Sequence, residues 1–361
     1  MRPARSYPKR RDDVRLLVMD PRLPPGRGLL ETRTTELATF LAPGDLLVVN
    51  DAATLPASLG GTDGEGRAVE ARLIAARDDQ RFAAVLFGAG DWRQRTEDRP
   101  PPPALPVGAA LSFGAGGELR ARVVAQSPLS PRLVDLEFAA HGDALWAALY
   151  AIGRPVQYSY LAHDLPLWAV QTVYAARPWS FEMPSAGRPL SWELLLALRR
   201  QGVRWAALTH AAGLSATGDP ALDAALPLPE RYHIPAATVR AVGEARARGG
   251  RVVAVGTTVV RALEGAALTN GGVLRAGAGE TDLRITPAFR PRLVDGVLSG
   301  VHAATESHFQ LLAAFAGPPL LEAAAGHAER AGFLTHELGD SMLVLPGALE
   351  ASGERTARLV R

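Results

Sequence analysis

The sequence predicts an α/β main domain with an inserted small antiparallel β-barrel domain. Two apolar runs near the start, RLLVMD at 15–20 and GDLLVVND at 44–51, read as buried strands ending in polar residues. After about residue 150, helical patterns alternate with strands, which is α/β texture. Between these parts the chain turns to short β-rich runs separated by Gly, Pro and charged turns, the pattern of a small barrel or sandwich. The main domain is therefore expected to be discontinuous, 1–56 plus 151–361, with 57–150 as the insert.

The elements follow in order. RLLVMD gives way to a polar turn, PRLPPGRG, before GDLLVVND. The insert contains AVEARLIAA, RFAAVLFG, LRARVVAQ and RLVDLEF, with a Pro-rich bridge at 100–103. Ser191 is placed to N-cap the helix WELLLALRRQ, with Glu193 in its first turn and Gly202 beyond its end, ahead of the strand VRWAALTH. Pro235 opens the helix TVRAVGEARARGG, which stops at Gly249-Gly250 before the strand RVVAVG.

Composition excludes several chemistries. At 361 residues and 47% hydrophobic residues, the chain can build two cores. It has no cysteine, so disulfides, iron–sulfur clusters, thiolate nucleophiles and cysteine-ligated zinc are ruled out. Lys9 is the only lysine, which confines Schiff-base chemistry to one residue in the N-terminal arm. The formal charge of +2 permits a nucleic-acid partner without arguing for one. No secretory pattern or bilayer-length apolar stretch is visible, so a cytoplasmic protein with no membrane partner is expected.

Five segments carry candidate chemistry. RVVAVG runs into Thr257-Thr258 and the helix VVRALEGAA, so free N–H groups and two hydroxyls meet at a helix N-terminus beyond a strand. That suits a carboxylate or phosphate, and equally suits plain capping by Thr257. Arg261 and Glu264, three apart in that helix, form either an exposed pair or a cation and carboxylate beside an anion site. His210 and His302 each fall where a strand meets a loop, as general acids or bases do and as structural histidines also do. His302 and His308 are six apart, not the three or four that share a helix face, so no metal site is expected. Asp282 and Asp340 serve as base, ribose-hydroxyl acceptor or turn residue. Nucleophile-elbow, Walker and dinucleotide-binding motifs are missing.

Taken together, these segments resemble the S-adenosylmethionine:tRNA ribosyltransferase-isomerase family of queuosine biosynthesis. The resemblance runs through LAPGDLLVVNDAATLPASLG, GRPVQYSYL, QTVYA at 171–175, PSAG at 184–187, GGRVVAVGTTVVRALEGAA at 249–267, TDLRITP, the His302 segment to AAFAG, and GDSML at 339–343. It implies S-adenosylmethionine as co-substrate, with no further cofactor and no metal. The implied reaction moves and isomerises the ribosyl group onto the amine of a 7-aminomethyl-7-deazaguanine in tRNA, releasing adenine and methionine. A base would remove a C5′ proton acidified by the sulfonium. The resemblance makes His210, His302 and Glu264 candidate catalytic groups. Gln171, Tyr174, Ser185, Thr257, Thr258, Arg261, Asp282 and Asp340 become candidate substrate-binding groups.

The chain departs from the family at Pro189 for a histidine, Glu280 for a tryptophan, Thr305 for a lysine and Glu306 for a serine. The altered loops leave two further readings open: a paralogue using a small-molecule acceptor or cleaving S-adenosylmethionine without tRNA, and a non-catalytic donor-binding protein.

Overall fold

The computed structural model describes residues 1–302 and 306–350. A nine-stranded sheet forms the centre of the main domain. Its middle four strands, Arg204–His210, Leu46–Asn50, Val252–Val255 and Gly296–Gly300, are all parallel. Residues alternate between the two faces of a strand. Leu46 and Val48 accordingly join one core with the helices Ala236–Ala247, Thr257–Thr269, Ser307–Ala316 and Pro318–Arg330. Leu47 and Val49 join another with the helix Trp192–Arg200 and the 3-10 turn Thr34–Phe40. The strands Arg15–Met19 and Ser341–Val344 lie side by side in the same sheet, so opposite ends of the chain meet there.

The expected caps form where the sequence marks them. Ser191 Oγ accepts from Leu194 N at 3.2 Å, and Pro235 is the N-cap residue of Ala236–Ala247. With both faces of the central strands covered by helices, polar groups collect where those strands end.

The insert is a closed six-stranded barrel, running from Ser58–Asp63 to Leu133–Phe138. Four strands coincide with the β-rich runs of the sequence. The other two, Ser58–Asp63 and Ala110–Phe113, carry weak signals because SLGGTD is built of turn-type residues and ALSF is short. Packing explains the glycine in the first: a Cβ on Gly61 would lie 2.1 Å from Ser112 O. The helix Gly142–Ile152 adds Leu145 and Leu149 to the barrel core.

The chain leaves the sheet for the barrel directly after Asn50, through Ala52–Thr54, which pairs with Arg177–Ser180. Gln171 fastens this crossing, accepting from Thr54 N at 2.9 Å and donating to Thr54 O at 2.8 Å. The amide expected to touch substrate is thus engaged with main chain. The barrel is carried on the edge of the sheet where the parallel strands end.

Buried in the barrel, Glu70 binds Arg72 Nε at 2.8 Å and also accepts from Arg99 Nη1, while Arg99 Nη2 reaches Gly88 O and Gly90 O. Two interior guanidinium groups thus share one carboxylate, and removing it strands both charges. Glu70→Gln is expected to destabilise the protein by about 3–5 kcal/mol in denaturant unfolding. A loss within the ordinary surface range of about 0.5 kcal/mol would show that the triad does not hold the barrel.

Candidate functional site

Asn50 ends the central strand and joins three elements. Its Nδ2 donates to His210 O at 2.9 Å and reaches Thr258 Oγ1 at 3.4 Å, while its Oδ1 accepts from His210 N at 2.9 Å and Ala52 N at 3.1 Å. Thr257 does not cap the helix. Gly256 takes the N-cap position with a φ of 92°, which disfavours any residue with a Cβ, and no side chain makes a capping bond. Thr257 and Thr258 are partly exposed at the helix N-terminus, beside the ends of two parallel strands.

His210, Glu230 and Arg261 form a buried cluster next to this turn. Arg261 Nη1 donates to Glu230 Oε2 at 2.5 Å and Arg261 Nε to Leu283 O at 3.1 Å. Gly213 N donates to Glu230 Oε1 at 2.7 Å. His210 Nε2 lies 3.5 Å from Glu230 Oε2. Burial, with Arg261 nearby, drives the imidazole far below its usual range, so it is neutral near pH 7. Burial raises the Glu230 carboxyl against the pull of Arg261. Arg261 Nη2 is buried without a hydrogen-bond partner, and a guanidinium N–H left so is strongly disposed to bind an oxygen anion.

Arg261 and Glu264 do not pair. Glu264 is fully buried, and its carboxylate accepts from Arg292 N, Leu293 N and Val294 N at 2.9–3.1 Å. A carboxylate held by three main-chain donors anchors the loop at 292–294, so Glu264, expected as a catalytic group, is engaged with main chain.

His302 begins a second cluster, which the six-residue spacing did not foreshadow. His302 lies ahead of the helix Ser307–Ala316 rather than in it, so helical periodicity does not separate it from His308. Their rings stack with centroids 4.7 Å apart. His302 Nε2 is 3.0 Å from Ser299 Oγ, and Nδ1 is 2.9 Å from Glu306 Oε2. Burial, reinforced by His302, pushes His308 down to about 3. Thr305, which stands for the family's lysine, lies outside the described residues.

Two acid–phenol pairs adjoin these histidines, and nothing in their spacing singles them out. Tyr158 OH donates to Glu182 and contacts Ser215 Oγ at 3.1 Å, while Tyr160 OH donates to Glu337. The two tyrosine rings stack at 6.0 Å, and His336 stacks on Tyr160 at 4.5 Å with a φ of 67°, a backbone conformation uncommon for a residue with a Cβ. Tyr158, Glu182 and Glu337 line a narrow cavity with Gln157, Leu161 and Met183. Burial raises Glu182 and brings Glu337 up to about 7.

The remaining expected residues lie apart from these groups or serve the scaffold. Tyr174 is buried against Gly187, where an added Cβ would meet its hydroxyl at 2.0 Å, and burial drives its phenol upward. Ser185 opens the 3-10 turn Ser185–Gly187 and accepts from Arg188 N at 2.9 Å through its carbonyl. Asp282 is exposed. Asp340 accepts from Arg15 N and Leu334 N, both at 2.8 Å, and so staples two strands.

Fold and site together define an open α/β protein with a β-barrel inserted at the carboxyl edge of its parallel strands and a buried arginine, carboxylates and histidines gathered at that edge. The chain belongs to the queuosine biosynthesis protein family, whose profile matches residues 2–344. It is 34% identical over 343 residues to an S-adenosylmethionine:tRNA ribosyltransferase-isomerase of Moorella thermoacetica, covering 93% of this chain and 94% of that one. Against the enzyme of the same name from Thermus thermophilus it is 36% identical over 339 residues, covering 93% of each. The crystal structure of S-adenosylmethionine tRNA ribosyltransferase from Thermotoga maritima is similar at a TM-score of 0.51 and 25% identity, covering 95% of this chain and 96% of that chain. Among the described residues, no helix is long and apolar enough to cross a membrane.

The direction of the Glu337 shift determines how stability depends on pH. A carboxyl raised to about 7 in the folded state favours its neutral form, so its contribution is fully present below the ordinary carboxylate range and is lost as pH rises through about 7. Glu337→Gln, neutral throughout, is expected to gain on the wild type between about pH 4.5 and about pH 8, by up to about 3 kcal/mol in denaturant unfolding. Parallel pH profiles for the two proteins would disprove this.

Proposed function

We propose that the protein transfers and isomerises the ribosyl group of S-adenosylmethionine onto the amine of 7-aminomethyl-7-deazaguanine in tRNA, as a cytoplasmic step of queuosine biosynthesis. The observation that carries the proposal is the family match from residue 2 to residue 344. The site geometry agrees with what such a reaction requires.

Arg261, with its unpartnered buried Nη2, and the helix N-terminus at Thr257-Thr258 are suited to the methionine carboxylate of the donor. His210 is a neutral imidazole with Glu230 at 3.5 Å, the candidate acceptor of the C5′ proton, and Glu230 is the partner its imidazolium would have against the opposing charge of Arg261. Asn50 fixes the main chain of His210 from both sides. Glu264 acts through the loop at 292–294. S-adenosylmethionine is the co-substrate, and none of these steps calls on a further cofactor.

The test is incubation with S-adenosylmethionine, with and without tRNA carrying the modified base, followed for adenine and methionine. Release only in the presence of that tRNA is the expected result. Release without tRNA would move the acceptor to a small molecule or water, and binding without release would remove the enzymatic reading altogether. His210→Gln is expected to lower kcat by roughly 100-fold or more while leaving the affinity for S-adenosylmethionine within a few-fold. An unchanged kcat would take His210 out of the proton transfer.

A further inference from the structure

We propose that His302, Glu306 and His308 bind a first-row divalent transition-metal ion of zinc-like preference. The proposal is independent of the reaction assigned above. One ligand atom from each residue lies within 4.8 Å of the other two, and His302 Nδ1 and Glu306 Oε2 are already 2.9 Å apart. Zinc–nitrogen and zinc–oxygen bonds of about 2.0–2.2 Å place neighbouring tetrahedral ligands roughly 3.4 Å from each other. Closing the set around an ion therefore asks for a movement of about an ångström or so in the third ligand.

The neighbour of His302 strengthens the assignment. A ligating histidine characteristically donates its second ring N–H to an oxygen, which fixes the tautomer and turns the free lone pair toward the metal. His302 Nε2 has that partner in Ser299 Oγ at 3.0 Å, and Ser299 is only 2% exposed. The Nδ1–H that donates to Glu306 at 2.9 Å would give way to a bond to the ion, with the ring proton moving to Nε2, where Ser299 Oγ accepts it. His308 then has a use that a simple His302–Glu306 pair would not give it. Stacked on His302 at 4.7 Å with the ring planes 18° apart, it adds nothing to an ion pair, and a turn of its ring about the side-chain bonds would bring a second imidazole nitrogen to a cation.

The ligand types narrow the ion. Two imidazoles and one carboxylate suit zinc, cobalt, nickel or iron and disfavour magnesium and calcium, which prefer all-oxygen sites. Three protein ligands leave an open coordination position. The N-terminus of helix Ser307–Ala316 opposes a cation only weakly, an effect small beside that of direct metal–ligand bonds. The carboxylate of Glu306, at the N-cap position, offsets that opposition locally. Glu306 stands where the resembled family has serine, so the site is a feature of this chain and not of the family pattern.

The test uses the full chain, stripped with EDTA and titrated with Zn2+ by calorimetry and with Co2+ by visible absorption. The expected result is one ion per chain and a Co2+ ligand-field band. Glu306→Gln and His308→Leu should each weaken Zn2+ binding by about 100-fold or more, and Ser299→Ala by roughly 10-fold, with unchanged circular dichroism. His327→Ala, at the separate His327 and Glu31 contact, should change nothing. Absence of binding in the wild type would overturn the proposal, as would equal affinity in the doubly substituted His302→Ala, His308→Leu protein. So would loss of binding in His327→Ala.

Discussion

Asn50 is the residue on which the working edge of the protein depends. The strand it ends is buried on both faces, so every main-chain group there must find a partner inside the protein. At the amino end the Asp45 carboxylate provides this, accepting from both the main-chain N and the guanidinium of Arg251. At the carboxyl end the Asn50 amide holds both main-chain groups of His210, the first residue of the barrel crossing, and the threonine that follows the opening residue of the next helix. A carboxylate could accept there but could not donate to His210 O, and an apolar residue could do neither. One amide therefore sets the relative positions of a strand end, a helix N-terminus and the route to the second domain.

The buried acids divide into those saturated by main-chain donors or arginines and those that burial pushes toward the neutral form. Glu264, Asp340 and Glu70 accept from main-chain donors or from arginines. Glu182, Glu230 and Glu337 are all pushed toward the neutral form by burial. His210 and His308 are pushed the same way, toward neutral imidazole. Groups held off their ordinary titration ranges are costly in a scaffold and useful where protons move, and here they concentrate beside the ends of the parallel strands.

Much of this organisation is legible in the sequence. The strands RLLVMD and GDLLVVND, the Ser191 cap and the turn after RVVAVG are local patterns, and local patterns survive into the fold. Partners distant in sequence are another matter. Glu264 meets amides near residue 292, Asp340 meets Arg15, and Gln171 meets Thr54, so a residue set off by a motif could not be sorted into scaffold or site before its partner was visible. The same limit hid Glu182 and Glu337, whose phenol partners come from separate segments. The proximity of His302 and His308 was hidden for a different reason. A six-residue spacing rules out a shared helix face only if both residues are in the helix, and the helix starts between them.

The departures from the family pattern take on different meanings once they are placed. Glu280 is exposed on Gly277–Thr281, the edge strand of the sheet, where a charge discourages unwanted pairing. Its exchange for tryptophan is thus explained by the surface. Pro189 is buried beside Arg188, whose Nε binds Ala169 O at 3.0 Å. Among the described departures, Glu306 alone falls with the titratable groups at the carboxyl edge, where it meets His302. The buried Arg261 cluster and the Thr257-Thr258 turn lie on one side of the strand ends, and the segment from His302 to His308 carries a carboxylate where the resembled family has serine.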